Sequence, residues 1–592
     1  MTRAEFLKLA GLSGFAALRF PLAGARAVPS SKPAARKLIP MFYGPIQPES
    51  DLDAWFTSLK SWGAQRWMTW LNDYFNHTSP VPFLADALPA FREFINREDE
   101  ERRARHILRQ AELAEKHGIE FWLFMPFPVF PTLDQKIVRR VLPSIFRGGE
   151  SGGRIDMRNP RIAEILQAEI RAVKKRVPGL RGITFVVAEG NGAISLPPDD
   201  VTGMHEWMPA LVRALDAVCR ESGLGVILDA HQFGLTVGGR RKLHGQAARF
   251  PDMTVMEDIS WPEEDMWHPF MGYIPEDDRA ALLRANPVAL KFILETEYLG
   301  QGVLPSVFPR WWKRSVRAAV DAGVSVAMGR TFQWDGGMTD RNFNRLNVFI
   351  LAALCRDPDA DEKELLRHAA REAFGDAAVA SHELVELLWE TEPVIKDIVG
   401  LNGVSPMNHS RFPKPETLDF AYMKGGANAM KVVSDLFQKP GAKLYSPLGD
   451  DLNNTGQWRW QNQIVARPAG EYLAVKQAAA RWAGGALARA KSEQVSGALP
   501  PEKRKLLVDG YDALNCIAQA MCLYVQAADL HYRWFREKSV DDAVARDRFA
   551  NLAGQLDTLA ETDGANHLNY RKDMRAFAEF LRNRTSTKSA KK

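Results

Sequence analysis

The stretch Gly182–Gly190, GITFVVAEG, narrows the possible folds more than any other part of the chain. It is apolar without polar alternation and rich in β-branched residues, the pattern of a strand buried on both faces. It stops abruptly at Glu189, where Gly190, Asn191 and Gly192 force a turn. Similar runs recur at Leu38–Phe42, Ala64–Thr69, Ile119–Met125, Gly225–Asp229, Thr254–Glu257, Ala289–Leu294 and Val324–Met328, with helical periodicity between them. Eight doubly buried strands separated by helices predict an α/β architecture, a (β/α)8 TIM barrel, which keeps its chemistry at the C-terminal ends of the strands.

A barrel takes roughly 250–350 residues, so a chain of 592 has a second domain's worth of sequence beyond it. From Asp359 to Leu581 the β-branched runs disappear and helical periods take over, best in Thr417–Leu436, Gly470–Lys491, Pro501–Glu537, Asp542–Glu561 and Tyr570–Arg582. An all-helical C-terminal domain packed on the barrel is expected. Met1–Ala27 is different again. Arg3 and Lys8 precede an apolar stretch that ends at Ala25-Arg26-Ala27, a small-x-small cleavage pattern. Its TRAEFLKLAG opening resembles a twin-arginine export signal in which Ala4 replaces the second arginine. The reading is residues 1–27 as an export signal peptide, 28–37 as a Pro/Ser/Lys linker, 38–358 as the barrel and 359–592 as the helical domain. It places a bacterial protein in the periplasm or outside the cell.

Each predicted strand is followed by residues able to bind or react. They are Tyr43; Trp70, Asn72 and Asp73; Pro126 and Phe127; Glu189; Asp229 and His231; Asp258; Glu295 and Glu297; and Arg330, Gln333, Trp334 and Asp335. Polar and aromatic ends on nearly every strand predict one lined cavity. A long loop after the third strand, Pro126–Asn159, is expected to wall it, with Arg154, Asp156 and Arg158 as candidates for substrate contact. Glu189, Asp258 and Glu297 end different strands, and a barrel brings them together. Two or three carboxylates around one pocket are what glycosidic hydrolysis needs, one protonating the leaving oxygen and another attacking the sugar or activating water. Trp70, Trp261, Trp267 and Trp334 lie just past strands, where flat rings can cover a sugar face, whereas Trp62, Trp311 and Trp312 fit helix faces and belong to the core.

The same features exclude other classes. A formal charge of +5 with no clustered basic face does not suit nucleic acid. No later segment approaches ~20 uninterrupted apolar residues, so no membrane span is expected. Cys219, Cys355, Cys516 and Cys522 have no CxxC spacing and read as buried thiols. His231, His244 and His268 with Asp229 lack a tight metal-ligand spacing, and hydrogen-bonding histidines are the simpler reading, with no metal or cofactor expected.

Several stretches resemble the catalytic barrel of family 67 glycoside hydrolases, the α-glucuronidases of xylan breakdown. GGRIDMRNP at 152–160, a helix, and VPGLRGITFVVAEGNG at 177–192 match their loop, helix and acid-bearing strand. HPFMG at 268–272 with FILETEYLGQ at 292–301 matches their base-side segment, and GVSVAMGRTFQWDG at 323–336 their last strand. The likeness covers roughly residues 145 to 370. It implies an exo-acting, inverting hydrolase of an oligosaccharide or polysaccharide, with Glu189 as general acid and Glu297 on the base side. The second base-side carboxylate is Asp258, as a strand tip, or one of Glu263, Glu264 and Asp265. Tyr43, Trp70, Asn72, Asp73, Arg154, Asp229, His231, Glu295, Arg330, Gln333, Trp334 and Asp335 would line the sugar site. Where the family places uronate-binding cations, this chain has Phe185–Val187 and Asp229-Ala230-His231. The resemblance also implies a homodimer through C-terminal helices, whose aromatic residues include Tyr524, Tyr532 and Trp534. Two other classes stand beside this reading: a non-catalytic glycan-binding barrel, and a metal-dependent sugar isomerase or lyase using Asp229, His231 and Glu297.

Overall fold

The computed structural model describes residues 37–44, 51–70, 83–127, 135–146, 155–187, 204–229, 237–258, 271, 274, 276–294, 296–297, 299–331, 343–376, 382–400, 407, 410–413, 469–535 and 537–584. Eight strands form a closed, all-parallel barrel in sequential order. They are β1 (Ile39–Gly44), β2 (Arg66–Trp70), β3 (Glu120–Phe127), β4 (Leu180–Val187), β5 (Gly225–Asp229), β6 (Thr254–Asp258), β7 (Val288–Ile293) and β8 (Val326–Arg330). Every predicted strand is present, displaced by two residues or fewer at each end. The principal helices of the barrel are α1 (Leu52–Trp62), α2 (Arg97–Lys116), α3 (Pro160–Arg176), α4 (Met204–Glu221), α5 (Val237–Ala247), α6 (Glu276–Ala285), α7 (Pro309–Ala322) and α8 (Asn344–Arg356).

Local chemistry sets the helix ends. Asn96 and Asn159 turn their side chains onto the first free amides of α2 and α3, and Pro160 opens α3 with a φ already helical. Gly63 and Gly323 close α1 and α7 in the left-handed conformation that costs glycine nothing. Within the Pro126–Asn159 stretch, expected as a plain loop, a short helix spans Gln135–Val141 and a bridge joins Phe146 to Ile155. Asp156 caps its own turn there, accepting from the Arg158 amide.

Side chains at alternate positions point into the barrel. Near its N-terminal end the lumen is plugged by Trp122, which fits because its neighbours on β4 and β5 are glycines. A Cβ on Gly182 would lie 2.3 Å from the indole, and one on Gly225 2.6 Å. Beneath it, Arg66 covers the ring at 4.8 Å and pairs with Glu120 at 2.8 Å.

The C-terminal region is all-helical where it is described: α9 (Glu362–Phe374), α10 (His382–Val399), α11 (Ala469–Lys491), α12 (Pro501–Phe535), α13 (Asp542–Ala560) and α14 (Tyr570–Arg584). It docks partly through Glu392 of α10, which accepts the Arg310 and Trp311 amides at the start of α7 (3.2 and 2.9 Å) and so supplies a cap that α7 lacks locally. The expected helix Thr417–Leu436 lies outside the described residues. Tyr524 is fully buried between Phe412 and Phe577, and Trp534 packs on Phe549. Tyr524 and Trp534 thus pack against other residues of the same chain. The four cysteines are buried thiols, as expected. No described helix is long and apolar enough to cross a membrane.

Glu169 stands out on the inner face of α3 beside Leu166 and Ile170. It is 3% exposed, neither carboxyl oxygen has a hydrogen-bond partner among the described residues, and burial pushes its pKa well above the ordinary carboxylate range. The unfolded chain gives up this proton near pH ~4.3 while the fold keeps it, so stability is lost as pH rises above that point, by up to about 1.4 kcal/mol per pH unit. Glu169→Gln removes the slope. Its melting temperature relative to the parent's should climb between pH 5 and pH 8, and parallel pH curves for the two proteins would contradict the assignment.

Candidate active site

The strand register stacks the inward side chains in layers of four drawn from alternate strands, the usual filling of a (β/α)8 barrel. Met41, Trp122, Ile227 and Ala289 form one layer, and Met68, Thr184, Met256 and Met328 the next. Above them β1, β3, β5 and β7 contribute Tyr43, Phe124, Asp229 and Lys291. The uppermost layer includes Trp70, Asp258 and Arg330. The lower layers are apolar but for the Thr184 hydroxyl, and formal charge enters with the upper two.

Those upper layers have two walls. On β1–β3 the ring of Phe124 is stacked between Tyr43 (6.1 Å, 7° between planes) and Trp70 (5.5 Å, 24°). Facing it, on β5–β8, stand Asp229, Asp258, Lys291 and Arg330, all at least nine-tenths buried. Asp258 lies opposite Lys291 in the register and the two form an ion pair at 3.1 Å. Arg330 forms an ion pair with Glu297, which is 3% exposed. Aromatic rings opposite charged hydrogen-bonding groups suit a ligand with apolar and hydroxylated parts.

Glu297 is not on a strand. It follows β7 in a tight turn whose preceding residue, Thr296, has a φ of 55°, a conformation unusual for a β-branched residue. Local bonds hold it there. The Thr296 carbonyl accepts the Gln301 amide (2.8 Å), and its hydroxyl accepts the Gly302 amide (3.0 Å) and donates to Asn344 (3.2 Å). Behind the turn, Asn347 accepts from the Phe308 amide and the Trp312 indole (3.1 and 3.0 Å) and donates to the Ser306 carbonyl (2.9 Å). The turn is thus anchored to α7 and α8, which places the carboxylate on a braced support.

The fold brings together six of the residues singled out from sequence: Tyr43, Trp70, Asp229, Asp258, Glu297 and Arg330. Asn72, Asp73, Arg154, Glu189, His231, Glu295, Gln333, Trp334 and Asp335 lie outside the described residues, as do Trp261, Trp267 and the alternatives Glu263, Glu264 and Asp265. Two site residues were not anticipated, Lys291 and Phe124. Lys291 carried a signal, since a lysine in the centre of ALKFIL is out of place in a doubly buried strand unless one face is polar. His244 does not belong to the site. It sits on α5 and its Nε2 meets Glu257 at 2.7 Å on the outward face of β6, so it is removed from the set considered for a metal. Among the described residues no group of three or more His, Cys, Asp or Glu side chains is arranged to hold a metal ion. Trp62, Trp311 and Trp312 are core residues, as expected.

No family model and no curated protein matches the chain. Solved structures do. A GH138 enzyme targeting pectin rhamnogalacturonan II superposes with a TM-score of 0.57 at 12% identity, covering 92% of this chain and 63% of that one. What the two share is the fold. The chain therefore spans a little under two thirds of that enzyme's length. A GH115 4-O-methyl-α-glucuronidase with specificity for decorated arabinogalactans (TM-score 0.45, 11% identity, 93% of this chain and 62% of that one) and the Flavobacterium johnsoniae chitobiase (0.41, 12%, 93% and 78%) are more distant. The family 67 resemblance rests on the sequence motifs alone.

Proposed function

We propose that the barrel is the catalytic unit of an exported, exo-acting glycoside hydrolase that inverts configuration. The observation that carries this reading is the Glu297–Arg330 pair, set in the uppermost layer beside an aromatic wall. A guanidinium against a carboxylate favours its charged form, which suits a general base and not a proton donor. The complementary acid is Glu189, two residues beyond the last residue of β4 in the sequence. In an inverting hydrolase the two carboxyl groups stand roughly 6.5–9.5 Å apart to admit a water. Glu189 would protonate the leaving oxygen while Glu297 takes a proton from that water as it attacks the anomeric carbon from the opposite side. Tyr43, Phe124 and Trp70 would cover one sugar face, and Asp229, Asp258 and Lys291 would meet hydroxyls on the other. The substrate proposed is an oligosaccharide or polysaccharide.

Product stereochemistry tests this. Incubation with a panel of plant, algal and bacterial glycans should release reducing sugar, and NMR at early times should show an anomer opposite to that of the bond cleaved. Retention of configuration would overturn the inverting assignment. Binding of a glycan without turnover would favour a recognition protein instead.

A further inference from the structure

Three consecutive residues of the C-terminal region, Ser410, Arg411 and Phe412, link the turn that carries Glu297 to helices α12 and α14. Ser410 is fully buried. Its hydroxyl donates to the Glu297 carbonyl (2.6 Å) and accepts the Gly300 amide (2.6 Å), with the Thr296 carbonyl farther off at 3.4 Å. One side chain thus closes both ends of the turn. The next two residues face away from it. Arg411 forks onto Asp573 of α14, its Nε at 2.6 Å from one carboxylate oxygen and its Nη2 bonded to the other. Phe412 stands edge-on between Tyr524 of α12 (6.1 Å) and Phe577 of α14 (5.5 Å).

We infer that Ser410 is a positioning residue for Glu297: it fixes the turn so that the carboxylate meets Arg330, and the Arg411 and Phe412 anchors transmit the rigidity of the helical region to the catalytic base. This rests on the reading of Glu297 as that base. The requirement for serine is specific. The buried group must donate to one backbone atom and accept from another, which a short hydroxyl side chain does. The backbone adds a useful feature. Ser410 has a φ of 55°, in the left-handed region, so Ser410→Gly removes the hydroxyl while easing the backbone.

Two measurements decide the matter, on the full chain. In hydrogen exchange, the Gly300 amide should exchange at least tenfold faster in Ser410→Gly than in the parent, while α12 and α14 keep their protection. In kinetics, kcat should fall about tenfold or more with KM changed little, and the acid limb of the pH–rate profile should move to higher pH, because a carboxylate released from Arg330 binds its proton more readily. Asp573→Asn, which weakens the link from the far side without touching the turn, should shift the limb in the same direction by a smaller amount. A purely structural role would lower the yield of folded enzyme and leave the limb in place. If Glu297→Gln retains full activity, the reading of Glu297 falls and this inference with it. If Glu297→Gln is inactive but Ser410→Gly leaves Gly300 exchange and the acid limb unchanged, the role of Ser410 alone is overturned.

Discussion

Glu297→Gln should lower turnover by ~10²-fold or more on natural glycans and on activated aryl glycosides alike. The substitution keeps the shape of the side chain and an oxygen that Arg330 can still donate to, so the fold should survive with a melting temperature lowered by a few degrees. What is lost is the capacity to take a proton from water. That step is needed whatever group departs, and so a better leaving group cannot compensate. Glu189→Gln provides the contrast. An acid that protonates the departing oxygen matters greatly for a sugar alcohol and little for an aryl group that leaves unaided, so this variant should be impaired chiefly on natural substrates. The comparison of the two substrates in the two variants assigns both roles, and full activity of either variant on a natural glycan would reject its assignment.

The largest effect on stability should come from separating Asp258 and Lys291. Both are buried, at 0% and 6% exposure, and their 3.1 Å pair crosses from the uppermost layer to the one beneath. Removing one partner from a buried ion pair typically costs about 3–5 kcal/mol, because the other charge is left in the interior without compensation. Asp258→Asn and Lys291→Met should each lower the free energy of unfolding by an amount of that order, read from the shift in denaturation midpoint. The double variant should recover most of the loss, since replacing both charges removes the uncompensated one. Activity separates structure from chemistry. If Asp258 assists Glu297, the double variant will be stable and slow; if the pair only supports the site, its activity will return with its stability. Additive losses in the double variant would show that the two side chains do not act as a pair.

How much of this was legible in the sequence follows from what each pattern encodes. The strands were readable because parallel strands under helices are buried on both faces, and runs such as GVILD and TVMED have little else they can become. Phase was harder. Glu257 and Asp258 are adjacent carboxylates, and the run alone does not say which faces inward; the register does, placing Asp258 above Met256 and sending Glu257 out to His244. The helix α5, VGGRRKLHGQA, has almost no apolar period and three glycines, so nothing in its own pattern marks it as a helix. Its place is set by the barrel around it rather than by its own propensity. Pro393 inside α10 hid that helix in a similar way. The aromatic residues of α12 pose a different problem. An apolar helix face says that something covers it, and only packing reveals that for Tyr524 the cover is Phe412 and Phe577.

The layering has a consequence for how such a protein can change over generations. Trp122 and the rows of methionine and small residues around it hold the barrel shut, whereas the residues that would meet a ligand stand above them on the same strands. Substitutions in the upper rows alter charge and shape where a ligand is met, and leave the plug below untouched. Recognition can therefore drift while foldability is conserved, provided that charges are exchanged in matched pairs such as Asp258 with Lys291. A lineage free to drift in this way keeps its backbone long after its residues have diverged.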